Sequence, residues 1–246
     1  MIELKNVCAI VLAAGKGKRI NAKGRNKVTY EIHGKPMIVR IVENVKKAGI
    51  KNIVLVVGYA RISVEKLFPT GVVFAVQRKR LGTGHALLVG FKKIPQSCKN
   101  IFAFYGDDTS YSPEILLNLL ETHTKHNADL SFLTLEVDDP TGLGRIIRDN
   151  GGKAVAIIEE KDATDAQKEI KEINPGCFIF TESFLKKYIS KIPKNHVTRE
   201  YYLTSLIEIG FKNKAKVETH KVRGFLWRGV NTTDELHSAA EILKKK

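Results

Sequence analysis

Strand-like and helix-like segments alternate through the first half of this chain, and that alternation restricts its fold more than any other feature. Residues 7–12 form an apolar run suited to a buried strand. Pro36 suits a first helical position, Ile38, Ile41, Val42 and Val45 recur at helical spacing, and Gly49 closes the segment. Strand-like runs follow at 53–57, 72–76 and 101–104, with a short helix at 84–91. Ser112-Pro113-Glu114 marks a further helix start, which can run to about His126. Such alternation predicts an α/β fold: a mostly parallel sheet covered by helices on both faces, with ligands at the carboxyl ends of its strands.

Three loops fall on that rim. Leu12-Ala13-Ala14-Gly15-Lys16-Gly17-Lys18-Arg19 follows the first strand, and its small residues let backbone N–H groups approach phosphate oxygens while its cations add charge. It is neither a P-loop nor a dinucleotide fingerprint, since the third glycine of the latter is replaced by Ile20. An ordinary glycine-rich turn with surface lysines stays open. Tyr105-Gly106-Asp107-Asp108 sets a carboxylate at a strand end, where Mg2+ could bridge phosphate oxygens; a turn capped by aspartates is the alternative. In the segment 77–85, Gln77 can make paired hydrogen bonds to a base edge, and Gly82 and Thr83 offer backbone groups and a hydroxyl. A basic surface loop would have the same composition.

The second half reads differently. Runs at 133–136, 145–148, 155–159 and 177–180 are separated by turns such as Asp139-Pro140-Thr141-Gly142, which suggests an antiparallel addition closing over the rim.

A length of 246 residues fits one well-buried domain. The net charge of +15 invites a nucleic-acid reading, but the lysines are spread through helices and the tail without an Arg-rich arm, which favours a solvated surface and small anionic substrates. Cys8, Cys98 and Cys177 are odd in number and far apart, so neither a disulfide framework nor a zinc site is expected, and a reducing cytoplasm fits. No segment reaches the ~20 apolar residues of a membrane helix.

Together the motifs resemble the sugar-1-phosphate nucleotidyltransferases, most closely the N-acetylglucosamine-1-phosphate uridylyltransferase domain of a bifunctional bacterial enzyme. The loop 12–19 matches the family signature, with Lys18 where threonine is usual. Lys27-Val28, Gly34-Lys35-Pro36-Met37, Gln77, Leu81-Gly82-Thr83-Gly84-His85 and Tyr105-Gly106-Asp107 follow in order. So do the stretch 139–146, the stretch 159–164, Glu172-Ile173-Asn174, Glu200-Tyr201-Tyr202-Leu203-Thr204 and Gly229-Val230-Asn231. The pattern departs at the lengthened segment 21–26, where Asn26 replaces a proline, at Asp108, and at Pro175.

The resemblance implies a three-layer α/β/α, Rossmann-like nucleotidyltransferase (GT-A-like) fold in one domain. Its nucleotide-binding half would be 1–130, its sugar-binding half 131–230, and its C-terminal helix 231–246. It implies Arg19 and Lys27 as catalytic cations. Leu12, Ala13, Ala14, Gly15, Gln77, Gly82 and Thr83 would face the nucleotide, and Tyr105, Gly106, Gly144, Glu159 and Asn174 the sugar. Asp107 and Asn231 would ligate Mg2+. The implied reaction joins UTP to N-acetylglucosamine 1-phosphate, with glucose 1-phosphate or dTTP, or a catalytically silent sugar-nucleotide sensor, as alternatives. Because the relatives' acetyltransferase β-helix has no counterpart before Lys246, neither that activity nor its trimer is expected, leaving a monomer or dimer.

Overall fold

The computed structural model describes residues 3–17, 20, 24–223, 227, 229, 230 and 232–244. Its centre is a ten-stranded mixed sheet in the order β5-β4-β1-β6-β11-β7-β10-β8-β9, with β12 paired to β7. The first four of these, β1 (Val7–Ala13), β4 (Asn52–Val57), β5 (Val73–Val76) and β6 (Asn100–Tyr105), run parallel, as the alternation predicts. A two-residue hairpin, β2 (Glu31–Ile32) and β3 (Lys35–Pro36), stands apart.

The apolar content of β1 explains its central place. Val7, Ala9, Val11 and Ala13 face one core with α1 (Met37–Lys47) and α4 (Pro113–Lys125), while Ile10 faces a second core with α3 (Thr83–Phe91). A strand buried on both faces needs an unbroken apolar run rather than alternation. The α1 helix ends as expected: Gly49 takes φ +84°, and the N–H groups of Gly49 and Ile50 donate to the carbonyls of Lys46 and Val45. Pro36 is a correction, since it is the N-cap residue and the last residue of β3 rather than the first helical position. Ser112 caps α4 by accepting from the Ile115 N–H at 3.4 Å.

Beyond a short helix α2 (Arg61–Glu65), the rest of the chain extends the same sheet. β11 (Cys177–Thr181) lies antiparallel between β6 and β7 (Leu130–Glu136). β8 (Gly144–Arg148), β9 (Ala154–Ile158) and β10 (Glu172–Asn174) continue antiparallel beyond β7. Helices α5 (Asp165–Lys168), α6 (Glu182–Tyr188) and α7 (Ser205–Lys212) and strand β12 (Val217–Lys221) complete this half. The C-terminal helix α8 (Thr233–Lys244) packs Ala239 against Ile20, Ile32 and Met37.

The cysteine expectation is overturned. Cys8 and Cys98 form a disulfide with Cα atoms 5.8 Å apart, while Cys177 is free and buried. Cys8 itself is in register with Ile101, but the segment entering β6 is anchored on the start of β1, the Lys99 N–H donating to Asn6 O at 2.8 Å, which brings residue 98 near residue 8. The cysteines therefore give no argument for a reducing compartment. Among the described residues no helix is long and apolar enough to cross a membrane.

Candidate active site

The four parallel strands deliver their loops side by side. Leu12 is in register with Tyr105, and Ala13 with Val57, so the loop after β1 lies between Gly58 and Gly106. Its first carbonyls are already used: Leu12 O accepts from Gly106 N at 2.9 Å, and Ala14 O from Tyr59 N at 3.1 Å. Gly106 is required there, because a Cβ would stand 2.8 Å from Leu12 O. Beyond Ala14 the loop opens. Gly15 is exposed, with nothing within 4 Å of where a Cβ would be, which suits the close approach of an anion.

The loop then crosses over Lys27. Gly17 takes φ +61°, and a side chain on it would begin 2.8 Å from Lys27 Cβ. Lys27 Nζ in turn forms an ion pair with Asp107 Oδ2, the two side chains being 14% and 20% exposed. Two groups 80 residues apart, expected to bind phosphate and metal, are thus brought together. Arg19, Asn231 and Lys18 lie outside the described residues.

Asn26 holds this corner. It is 1% exposed; its Nδ2 donates to Ala13 O and Tyr59 O, both at 2.8 Å, and its Oδ1 accepts from Val28 N at 3.2 Å. One amide therefore ties the β1 and β4 loops together and caps the short turn Lys27–Thr29. The sequence shows Asn26 only as a missing proline. The signal was its N-cap preference, which proline cannot share.

In the bend between β5 and α3, Gln77 is 3% exposed, and its Nε2 lies 3.1 Å from Gly82 O and 2.9 Å from His85 Nδ1. The Thr83 hydroxyl is occupied internally, accepting from Leu203 N at 2.9 Å. Tyr105 ends β6 where the antiparallel strand β11 begins. Its ring packs on Gly176, where a Cβ would meet Tyr105 Cδ2 at 2.2 Å, and burial together with the Glu159 charge raises its pKa, so it stays a neutral phenol.

Gly144, Glu159 and Asn174 are gathered at one end of the antiparallel strands. Asn174 is in register with Gly144, and Glu159 Cδ lies 3.9 Å from where a Gly144 Cβ would stand. Burial raises the Glu159 pKa, against the lowering effect of a 2.8 Å hydrogen bond from the Thr204 hydroxyl. The Asn174 side chain braces a turn: Nδ2 donates to Leu133 O at 2.9 Å and Oδ1 accepts from Gly176 N at 3.0 Å.

Two further residues were missed as single residues. Arg145 is 1% exposed, pairs with Glu160 at 2.7 Å and donates to the carbonyls of Leu143 and Lys168. Asp108 accepts from Ser110 N and from the Trp227 indole, and burial pushes its pKa up to about 7 despite bonds from Tyr111, Trp227 and Ser110. Neither partnership has a local sequence signature.

The profile of the family described as "Nucleotidyl transferase" matches residues 8–246. "Bifunctional protein GlmU" of Thermoanaerobacter pseudethanolicus is 35% identical over 243 residues, covering 99% of this chain and 53% of that protein. The protein of the same name from Francisella tularensis subsp. novicida is 37% identical over 238 residues, covering 96% and 51%. The chain thus spans about half the length of the curated relatives it matches. In fold it is similar to a Bacillus anthracis protein described as a glucose-1-phosphate thymidylyltransferase and solved with sucrose, with a TM-score of 0.80 at 20% identity, covering 98% and 96% of the two chains. The profile match runs from β1 to α8, through every loop of the rim. The chain belongs to the nucleotidyl transferase family and is a nucleotidyltransferase.

Proposed function

We propose that the chain transfers a uridylyl group from UTP to N-acetylglucosamine 1-phosphate, releasing pyrophosphate. The carrying observation is the Lys27–Asp107 pair beneath the open Gly15 loop: a cation and an anion held where a triphosphate and its counterion would meet. Residues 1–130 would serve the nucleotide and 131–230 the sugar, within one domain closed by the helix of 231–246.

The residues fit Mg2+. A hard anionic oxygen at the end of β6 already faces a positive group, the Lys27 ammonium, which stands in for a cation. Among the described residues no three His, Cys, Asp or Glu side chains converge to form a closed cage, so Mg2+ at Asp107 would complete its shell with water, substrate oxygens and Asn231. When bound, it supplies charge neutralisation on the triphosphate oxygens.

The sugar phosphate needs no general base. With a second pKa near ~6, its oxygen is already deprotonated at neutral pH. The protein's task is to hold nucleophile and α-phosphorus in line and to stabilise charge as it develops. Lys27 and Arg19 would donate to phosphate oxygens, while the Leu12 to Gly15 backbone, Gln77, Gly82 and Thr83 would line the nucleotide. Tyr105, Gly106, Gly144, Glu159 and Asn174 would surround the sugar. One observation favours a second reading with glucose 1-phosphate: the Asn174 amide is engaged in its turn rather than presented to an acetamido group.

Pyrophosphate release measured over UTP, dTTP, CTP, N-acetylglucosamine 1-phosphate and glucose 1-phosphate, with and without Mg2+, tests both readings. Mg2+-dependent turnover with UTP and the acetamido sugar is expected. Turnover confined to dTTP and glucose 1-phosphate would replace the first reading, and none in any combination would remove both.

A further inference from the structure

The bend between β5 and α3 fixes which way the Gln77 amide faces. One atom of that amide lies 3.1 Å from Gly82 O and 2.9 Å from His85 Nδ1. A backbone carbonyl only accepts, so the group beside Gly82 is the NH2. Its other proton is directed at His85 Nδ1, which must then accept, leaving a neutral imidazole with its proton on Nε2. Burial, and then the Lys92 ammonium, hold the His85 pKa below its usual 6.5, in keeping with that form. With both amide protons committed, Oε1 is the polar atom of Gln77 left for a ligand.

The bend cannot readily shift. Gly82 has φ +106°, and a Cβ on it would stand 2.4 Å from Tyr201 O. Tyr201 N donates to Leu81 O, and Gly84 N to Tyr201 O, both at 2.8 Å. Gln77 N is itself anchored on Val57 O at 2.8 Å. A glutamine in so fixed a frame can reverse its amide only by setting Oε1 against two acceptors, Gly82 O and His85 Nδ1.

We propose that His85 is a specificity-determining positioning residue. By accepting from Gln77 alongside Gly82 O, it holds both amide protons and fixes Oε1 as a lone acceptor toward the base, which admits a pyrimidine with an N–H at N3 and rejects cytosine, whose N3 is itself an acceptor. The inference rests on the reading of Gln77 as a base contact and deepens it. Uracil and thymine share the N3–H edge, so His85 separates both from cytosine and does not choose between them.

Calorimetric dissociation constants for UTP and for CTP, with Mg2+, on the full chain test this. The wild type should bind UTP at least about tenfold more tightly than CTP, as expected for an acceptor facing an acceptor in a buried site. His85→Leu removes one of the two acceptors that hold the NH2, leaving Gly82 O alone, and should cut the preference at least about threefold. His85→Asn, whose Oδ1 can stand where Nδ1 was, should restore the preference. An unchanged preference in His85→Leu alongside its loss in Gln77→Leu overturns the proposal alone. An unchanged preference in Gln77→Leu, or no nucleotide binding in the wild type, overturns the base-contact reading and the proposal with it. Nitrogen NMR of the His85 ring at pH 7.5 needs no variant: the Nε2–H tautomer is expected, and a proton on Nδ1 overturns the proposal.

Discussion

Along the parallel strands β5, β4, β1 and β6, the rim is built from backbone and short side chains, and the charges above it, Lys27 and Asp107, meet each other with part of their surface open to water. Across β7, β10, β8 and β9, the polar side chains are used up within the protein. Arg145 holds Leu143 O, Lys168 O and Glu160; Arg148 is bonded to both carboxylate oxygens of Glu172; and Asn174 holds Leu133 O and Gly176 N. The parallel half shapes a surface and leaves charge on it. The antiparallel half has edge strands and sharp turns to stabilise, and its polar groups do that first. Substitutions at the rim charges of the first half should therefore change chemistry more than stability, and those at the buried polar groups of the second should change stability.

The largest expected effect tests the first half of that contrast. Asp107→Asn keeps the shape and removes the charge, so Mg2+-dependent pyrophosphate release should fall by about 10²–10³, comparable to losing one charge-stabilising group. Its unfolding free energy should fall by about 1–2 kcal/mol, less than at Arg145, since the asparagine Oδ1 can still accept from the Lys27 ammonium. Full activity, or a large loss of stability, would break the comparison.

Arg145→Met should act in the opposite sense. Two carbonyls and Glu160 lose their partner, and denaturant unfolding should show a loss of about 3 kcal/mol. A variant as stable as the wild type would show that the antiparallel half does not depend on its buried polar contacts.

Acid should weaken the seam between α4 and β7. His123 there bonds Ser131 Oγ through Nδ1, its Nε2 is buried without a partner, and burial lowers its pKa from 6.5 to about 4, against a raising effect from Asp129. Between those values the unfolded chain binds a proton that the native protein does not, so the contribution is whole above pH 6.5 and is lost as pH falls toward 4. The loss should approach about 3 kcal/mol in unfolding measured across that range, and His123→Gln should flatten the slope.

The smallest effect sharpens the contrast at one residue. Asn174→Ala leaves Leu133 O and Gly176 N unpaired and should cost about 2 kcal/mol. A Michaelis constant for the sugar phosphate that rises with no change in stability would return Asn174 to the substrate-facing group.

The legible parts of this site were those written in consecutive residues. The buried strand β1, the small-residue loop after it, the α4 cap at Ser112 and the glycine stop at Gly49 depend on preferences acting over a few positions, and they stand where the sequence puts them. Helices α2, α5 and α6 are too short to show a helical period, and α7 was not recognised although it buries Leu206, Ile207 and Gly210. Strand β12, Val-Glu-Thr-His-Lys, has no apolar alternation and is a strand because it can pair with β7.

The sequence by itself determined a parallel sheet with a small-residue, glycine-rich loop at its rim, because apolar runs and glycine turns restrict the backbone locally. Tertiary structure alone decided which groups meet there. Lys27 meets Asp107 across 80 residues, Thr83 meets Leu203 across 120, and Cys8 meets Cys98 across 90. Such partnerships follow from which strands become neighbours. Strand order is set by how two cores close on the sheet, a cooperative outcome that no short stretch of residues contains.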